Sequence, residues 1–211
     1  MKTTPANIYR LPDLPLTLEV ARTWKPMSDE DAAHYLRVAL HESAHVMACL
    51  SVGGCVCDIT IRPRRTTTDE YGGANIAGKL PEHDAFMSFA GYAWEELHGD
   101  TGWGSDDRTV GKQSDPENWE RNLADARQYV VKADTAIRYG AAAILQAMPV
   151  NGLLEGKKLQ KLLHWLKPYA SSAPRRVFLL DSFFTGGHAD TGRDSTLELV
   201  ARPGLGRDRG S

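Results

Sequence analysis

The stretch from Ser28 to Gly54 constrains this chain more than any other. Ser28 is followed by Asp29, Glu30 and Asp31, a capping hydroxyl and an acidic first turn that suits the positive end of a helix dipole. Val38-Ala39-Leu40 and Val46-Met47-Ala48 then give apolar flanks, and Gly53-Gly54 stops the run near Val52. Inside those flanks lies His41-Glu42-Ser43-Ala44-His45. The fold must therefore bury a helix that carries two imidazoles and a carboxylate.

The spacing of that segment has a chemical reason. Residues four apart project from one helix face, so both imidazoles can reach one metal ion. Glu42 sits at a neighbouring angle, where its carboxylate can touch a water on the metal rather than the metal itself. Zinc lowers the pKa of such a water to about 7, and a glutamate can then act as general base. A catalytic zinc needs a third protein ligand. His83, Glu95, Glu96, His98, Asp106 and Asp107 are the candidates downstream.

Composition bounds the rest. The 211 residues carry 25 Lys plus Arg against 27 Asp plus Glu, a net charge of −2. That balance argues against a dedicated nucleic-acid or anionic-membrane binder, although it is compatible with a local basic patch. No apolar run is long enough to cross a bilayer, and Met1 to Arg10 lack the long apolar segment of a secretory signal. Cys49, Cys55 and Cys57 cannot all pair within one chain and read as reduced core thiols. A Cys-x-Cys metal site is the sharper alternative, although structural zinc favours wider spacing. These features together predict a cytoplasmic location.

Residues 1–27, with four prolines, read as an extended N-terminal arm. Residues 28–185 form the main domain, and 186–211 read as a disordered tail. Within the domain, residues 56–62 alternate, with Cys57, Ile59 and Ile61 on one face and Asp58, Thr60 and Arg62 on the other. A second strand is expected near Tyr71 to Ala77. Its residues Gly72, Gly73 and Ala74 are candidates to hold an extended peptide backbone at a sheet edge. Pro81 opens a helix to His98. A Gly-rich loop covers Gly102 to Asp107, helices follow from Pro116 to Met148, and a last helix runs from Leu153 to Leu166 before Pro168.

The order of these segments resembles the peptidase domain of FtsH-type zinc proteases. The resemblance rests on His41-Glu42-Ser43-Ala44-His45, the strand Asp58 to Pro63, the helix segment Phe89 to Gly99 with its Glu95-Glu96 pair, and Gly104-Ser105-Asp106-Asp107. It extends over residues 28–166. It implies one catalytic zinc ion held by His41, His45 and Asp107, with Glu42 as catalytic base. Glu95 or Glu96 would support the site, and Asp106, Glu95 or Glu96 stand as alternative ligands. The implied fold is α+β and mainly helical, zincin-like, with the active-site helix beside a small two- to three-stranded sheet and a helical C-terminal half.

The chain lacks a Walker motif and a membrane span, so the resemblance is to a stand-alone peptidase without ATPase module. The expected activity is zinc-dependent hydrolysis of peptide bonds in unfolded or flexible segments, ATP-independent by itself. Expected partners are a protein or peptide substrate, a separate unfolding partner and a homo-oligomeric ring, with no nucleic acid and no membrane. The alternative is a zinc-binding interaction or regulatory module with weak or no catalysis, against which the retention of Glu42 argues.

Overall fold

A computed structural model describes residues 21–22, 24–62, 72–99 and 104–172. They belong to one compact unit, α+β and mainly helical. The first helix, α1, spans Asp29–Ser51. The Ser28 hydroxyl accepts from the Asp31 amide at 3.1 Å, as a capping serine should, and Val52 and Gly53 close the other end.

Strands β1 (Cys55–Ile61), β2 (Gly72–Ala77) and β3 (Leu153–Glu155) form an antiparallel sheet in the order β2-β1-β3. β2 therefore lies at an edge. Between them in the chain come α2 (Pro81–Leu97), α3 (Ser105–Ser114) and α4 (Trp119–Ala147), and α5 (Gly156–Ser172) follows β3. α1 is the central element. It packs on α2, α4 and α5 and on one face of β1 and β2. Its small residues Ala39, Ala44 and Ala48 are fully buried, which lets neighbouring helices approach closely. The core around it is built from Met47, Phe86, Phe89, Ile59, Ile61, Ile137, Ile144 and Leu159, each worth about 1.5–3 kcal/mol of burial.

The structure departs from the sequence reading in five places. Cys57 does not share the inner face with Ile59 and Ile61. A bulge between Val56 and Asp58 leaves Cys57 without a register partner, so Val56 turns inward and Cys57 outward. Of the three thiols only Cys49 is a core residue, and Cys55 and Cys57 are exposed. Ser105, Asp106 and Asp107 are the first turn of α3 rather than a loop. Leu153–Glu155 pair with β1 before the last helix begins, and that helix continues through Pro168 to Ser172. Finally, Ala21, Arg22 and Trp24 are helical rather than extended. Trp24 is buried, edge-on to Tyr35, and donates from Nε1 to the Pro149 carbonyl at 2.8 Å. The expected arm before Ala21, the loop 64–70, Trp103 and the tail 186–211 lie outside the described residues.

Burial, foremost, pushes the Cys49 thiol up to about 12 by disfavouring the thiolate. At about pH 8, where an ordinary thiol is partly ionised, iodoacetamide should therefore modify Cys55 and Cys57 and spare Cys49. All three should react in denaturant. Peptide mass mapping checks this, and equal labelling of Cys49 in the folded protein would mean that the α1–β1 corner is open.

Candidate metal centre

α1 delivers His41 and His45 one turn apart on the face it turns toward α2, and their Nε2 atoms stand 3.1 Å apart. Asp107, in the first turn of α3, brings Oδ2 to 2.9 Å from His41 Nε2 and 3.2 Å from His45 Nε2. Among the described residues, His41, His45 and Asp107 are the group whose donor atoms all converge, within 4.8 Å of one another.

The outer ring nitrogens decide what the inner ones offer. His45 Nδ1 lies 2.7 Å from the Met87 carbonyl, which can only accept, so this nitrogen carries the proton. His41 Nδ1 lies 2.8 Å from Glu95 Oε1 and donates in the same way. With neutral rings both Nε2 atoms would offer lone pairs toward each other and toward a carboxylate oxygen. Positive charge stabilises such a cluster, whether as protons on the imidazoles or as a metal ion held between them. With zinc–ligand bonds of about 2.0–2.1 Å, tetrahedral donors stand about 3.3 Å apart. The observed 2.9, 3.1 and 3.2 Å fit that cage to within a few tenths of an ångström.

In the metal-free chain, protons supply that charge. Burial opposes protonation of His41, but hydrogen bonds to Asp107 and Glu95 and the charge of Glu42 outweigh it and hold its pKa well above the ordinary value. His45 is raised as well, its burial overcome mainly by Asp107. Burial would lift Asp107, yet the two imidazoles hold its carboxyl far below the usual carboxylate range. Glu42 is 4% exposed, and burial raises its pKa against the pull of His41 and His45, as suits a general base.

Two close approaches make the site. A Cβ on Gly91 of α2 would fall on the His41 and His45 rings, so only glycine lets α2 pass this near the imidazoles. A Cβ on Gly72 of β2 would come within 2.8 Å of Glu42 Oε1, so the edge strand begins directly against that carboxylate. Gly73, next along, faces open space. Ala74 is half-buried in the same strand.

The other candidate residues separate cleanly. Glu95 is 1% exposed and supports the site from behind, since its Oε1 accepts from His41 while Oε2 accepts from the Gly104 amide at 2.9 Å. Gly104 precedes α3, so one carboxylate ties His41 to the segment that carries Asp107. Arg37, one turn before His41, sets its charge against Glu95. Glu96 points away to Arg127, with contacts of 2.6 and 2.8 Å. Asp106 is exposed and outside the cluster. His98 caps α2, stacks on Trp94 and meets Asp134 at 3.0 Å. His83 is buried at the start of α2, away from the convergent donors. The sequence reading missed the Met87 carbonyl, which no side-chain pattern announces, and Gly91. A glycine in mid-helix costs about 1 kcal/mol relative to alanine, and that cost is a usable sign of close approach.

No protein-family model, no curated protein and no solved structure matches this chain. The site is accordingly read from its own geometry.

Loaded with zinc and dialysed, Asp107→Ala should lose most of its metal, whereas Asp106→Ala should retain it. Glu95→Gln should weaken zinc about 10- to 100-fold by loosening His41 and the turn before α3. Gly91→Ala should behave like Asp107→Ala. Chelator competition reads all four, and full zinc in Asp107→Ala would remove that residue from the cage.

Proposed function

We propose that the chain is a zinc-dependent metallopeptidase that cuts peptide bonds in unfolded or flexible protein segments, without ATP hydrolysis of its own. One observation carries the reading. Two imidazole nitrogens and a carboxylate oxygen converge, and a buried glutamate that is not among them stands one residue from His41 and one turn from His45. Pure metal storage has no use for that glutamate. The order of segments that resembles FtsH-type peptidases adds support.

His41, His45 and Asp107 would hold the zinc, which when bound would polarise a peptide carbonyl and acidify a water. Glu42 would take the proton of the attacking water and then pass it to the leaving amine. Burial raises the pKa of Glu42, which suits a carboxyl that must both take up and release a proton. Glu95 would keep His41 in the tautomer that offers Nε2. The free edge of β2, starting beside Glu42, would pair with an extended substrate backbone through Gly72, Gly73 and Ala74. A folded substrate cannot offer an unpaired strand there, which favours unfolded segments. No helix of the described residues is long and apolar enough to cross a membrane. The free, exposed thiols of Cys55 and Cys57 suit a reducing cytoplasm.

The test is hydrolysis of a fluorescently labelled unfolded protein by zinc-loaded wild type and by Glu42→Gln. The wild type should cleave it. Glu42→Gln should keep its zinc and lose about 10²- to 10⁴-fold in rate, the share of a general base. Zinc-loaded wild type that cleaves nothing would favour a binding module over an enzyme. Equal cleavage by both proteins would point to a contaminant.

A further inference from the structure

We infer that the outward face of α5 binds single-stranded nucleic acid, through a row of lysines beside an exposed tryptophan shelf. The helix reads Gly-Lys-Lys-Leu-Gln-Lys-Leu-Leu-His-Trp-Leu-Lys from Gly156 to Lys167 and contains no acidic residue. Its apolar side is spent, because Leu159, Leu162, Leu163 and Leu166 are buried where α5 meets α1, α4 and the sheet. Everything charged points outward. Lys157, Lys158, Lys161, His164 and Lys167 are exposed, and neighbours at spacings of three and four residues stand about 5–6 Å apart. The row runs for about 15 Å along the axis.

Two features are unexplained by folding. Lys157 and Lys158 occupy the first turn, where the helix dipole disfavours cations, so they weaken the helix they start. Trp165 is the one aromatic among the large exposed hydrophobic side chains of the described residues, at 44% exposure. Its ring is not loose. It lies 4.7 Å from Tyr139 at an interplanar angle of 35°, with Tyr169 edge-on at 5.8 Å, so the indole packs at a tilt against Tyr139 of α4. A fixed aromatic face flanked by cations is how a base and its phosphates are gripped together on single strands.

The alternatives fit less well. A bilayer surface takes up amphipathic helices through their apolar face, and here that face is inside the core. An acidic peptide would use the lysines but gain nothing from a clamped indole. The chain's net charge of −2 means that such binding is local to this face and strongly salt-dependent.

The experiment is fluorescence anisotropy of a labelled oligothymidine of about twenty nucleotides with the full chain, metal-free and zinc-loaded. Three to four phosphate contacts predict a log–log salt slope of about −2 to −3, hence about 20- to 50-fold weaker binding between about 50 and 200 mM salt. Lys157→Glu with Lys161→Glu should weaken binding at least about tenfold, and Lys79→Glu, between β2 and α2, should not. Trp165→Leu should weaken it at least about fivefold at unchanged circular dichroism, by removing the stacked base. The difference in tryptophan emission between wild type and Trp165→Phe should quench as the strand is added. Glu42→Gln should bind like wild type. No binding at about 50 mM salt, or binding indifferent to the two lysine reversals, would overturn the proposal. So would tighter binding to phosphatidylcholine–phosphatidylserine vesicles or to polyglutamate than to the oligonucleotide.

Discussion

Two imidazoles and a carboxylate that converge on one point need positive charge among them, as protons or as a metal ion, and much of this fold serves to hold that arrangement in place. α1 packs against helices and sheet rather than lying along the surface, which largely buries both imidazoles. The outer nitrogens must find acceptors, and the Met87 carbonyl and Glu95 supply them. A backbone carbonyl inside a regular helix is normally engaged along its own helix. Using it for His45 requires α2 to lie almost in contact, and Gly91 grants that approach. The glycine, the carbonyl and the carboxylate are consequences of one electrostatic demand.

Asp107 is held differently. α3 has one buried residue, Gly111, seated against the Phe89 ring. Its other ties are at the front. The Gly104 amide donates to Glu95, Asp107 meets both imidazoles, and Arg108 lies over Tyr92 at 5.8 Å. α3 is positioned by its packing along α2 together with these ties at the site. His41 and His45 sit in the buried centre, while Asp107 rides on a short helix whose outer face is exposed.

Much of this was legible in the sequence, for reasons that can be named. α1 was legible from its cap, its acidic first turn and its glycine stop, because each acts within a few residues. So were the two imidazoles, since helical spacing alone puts them on one face. Ile59 and Ile61 followed from alternation, but the bulge at Cys57 did not, because an inserted residue changes the parity of every position before it and leaves no local mark. β3 was unreadable for a related reason. Three residues make too short a run to show a period, and only pairing with β1 makes Leu153–Glu155 a strand. Pro168 was read as a stop because its ring removes a hydrogen bond, a cost that α5 accepts near its end.

The choice between Glu95 and Glu96 shows where sequence periodicity runs out. In an ordinary surface helix the apolar stripe would reveal which of two neighbours points inward. α2 has no such stripe. From His83 to Glu95 buried residues occur nearly all round, because α1, α3 and α4 enclose it. A helix buried on every side carries no phase, so two adjacent carboxylates look alike in the sequence. They differ by about 100° of rotation, and that angle sends one to the rear of His41 and the other to Arg127 in solvent. Buried Glu95 is well partnered. It accepts from His41 and from Gly104 while Arg37 sets a positive charge against it. An unpaired carboxylate at that depth would be protonated and would no longer fix the histidine. What makes the cluster a candidate metal centre is thus less the pentapeptide than the ring of donors and charges around it. That ring assembles only once α2 has been brought against α1.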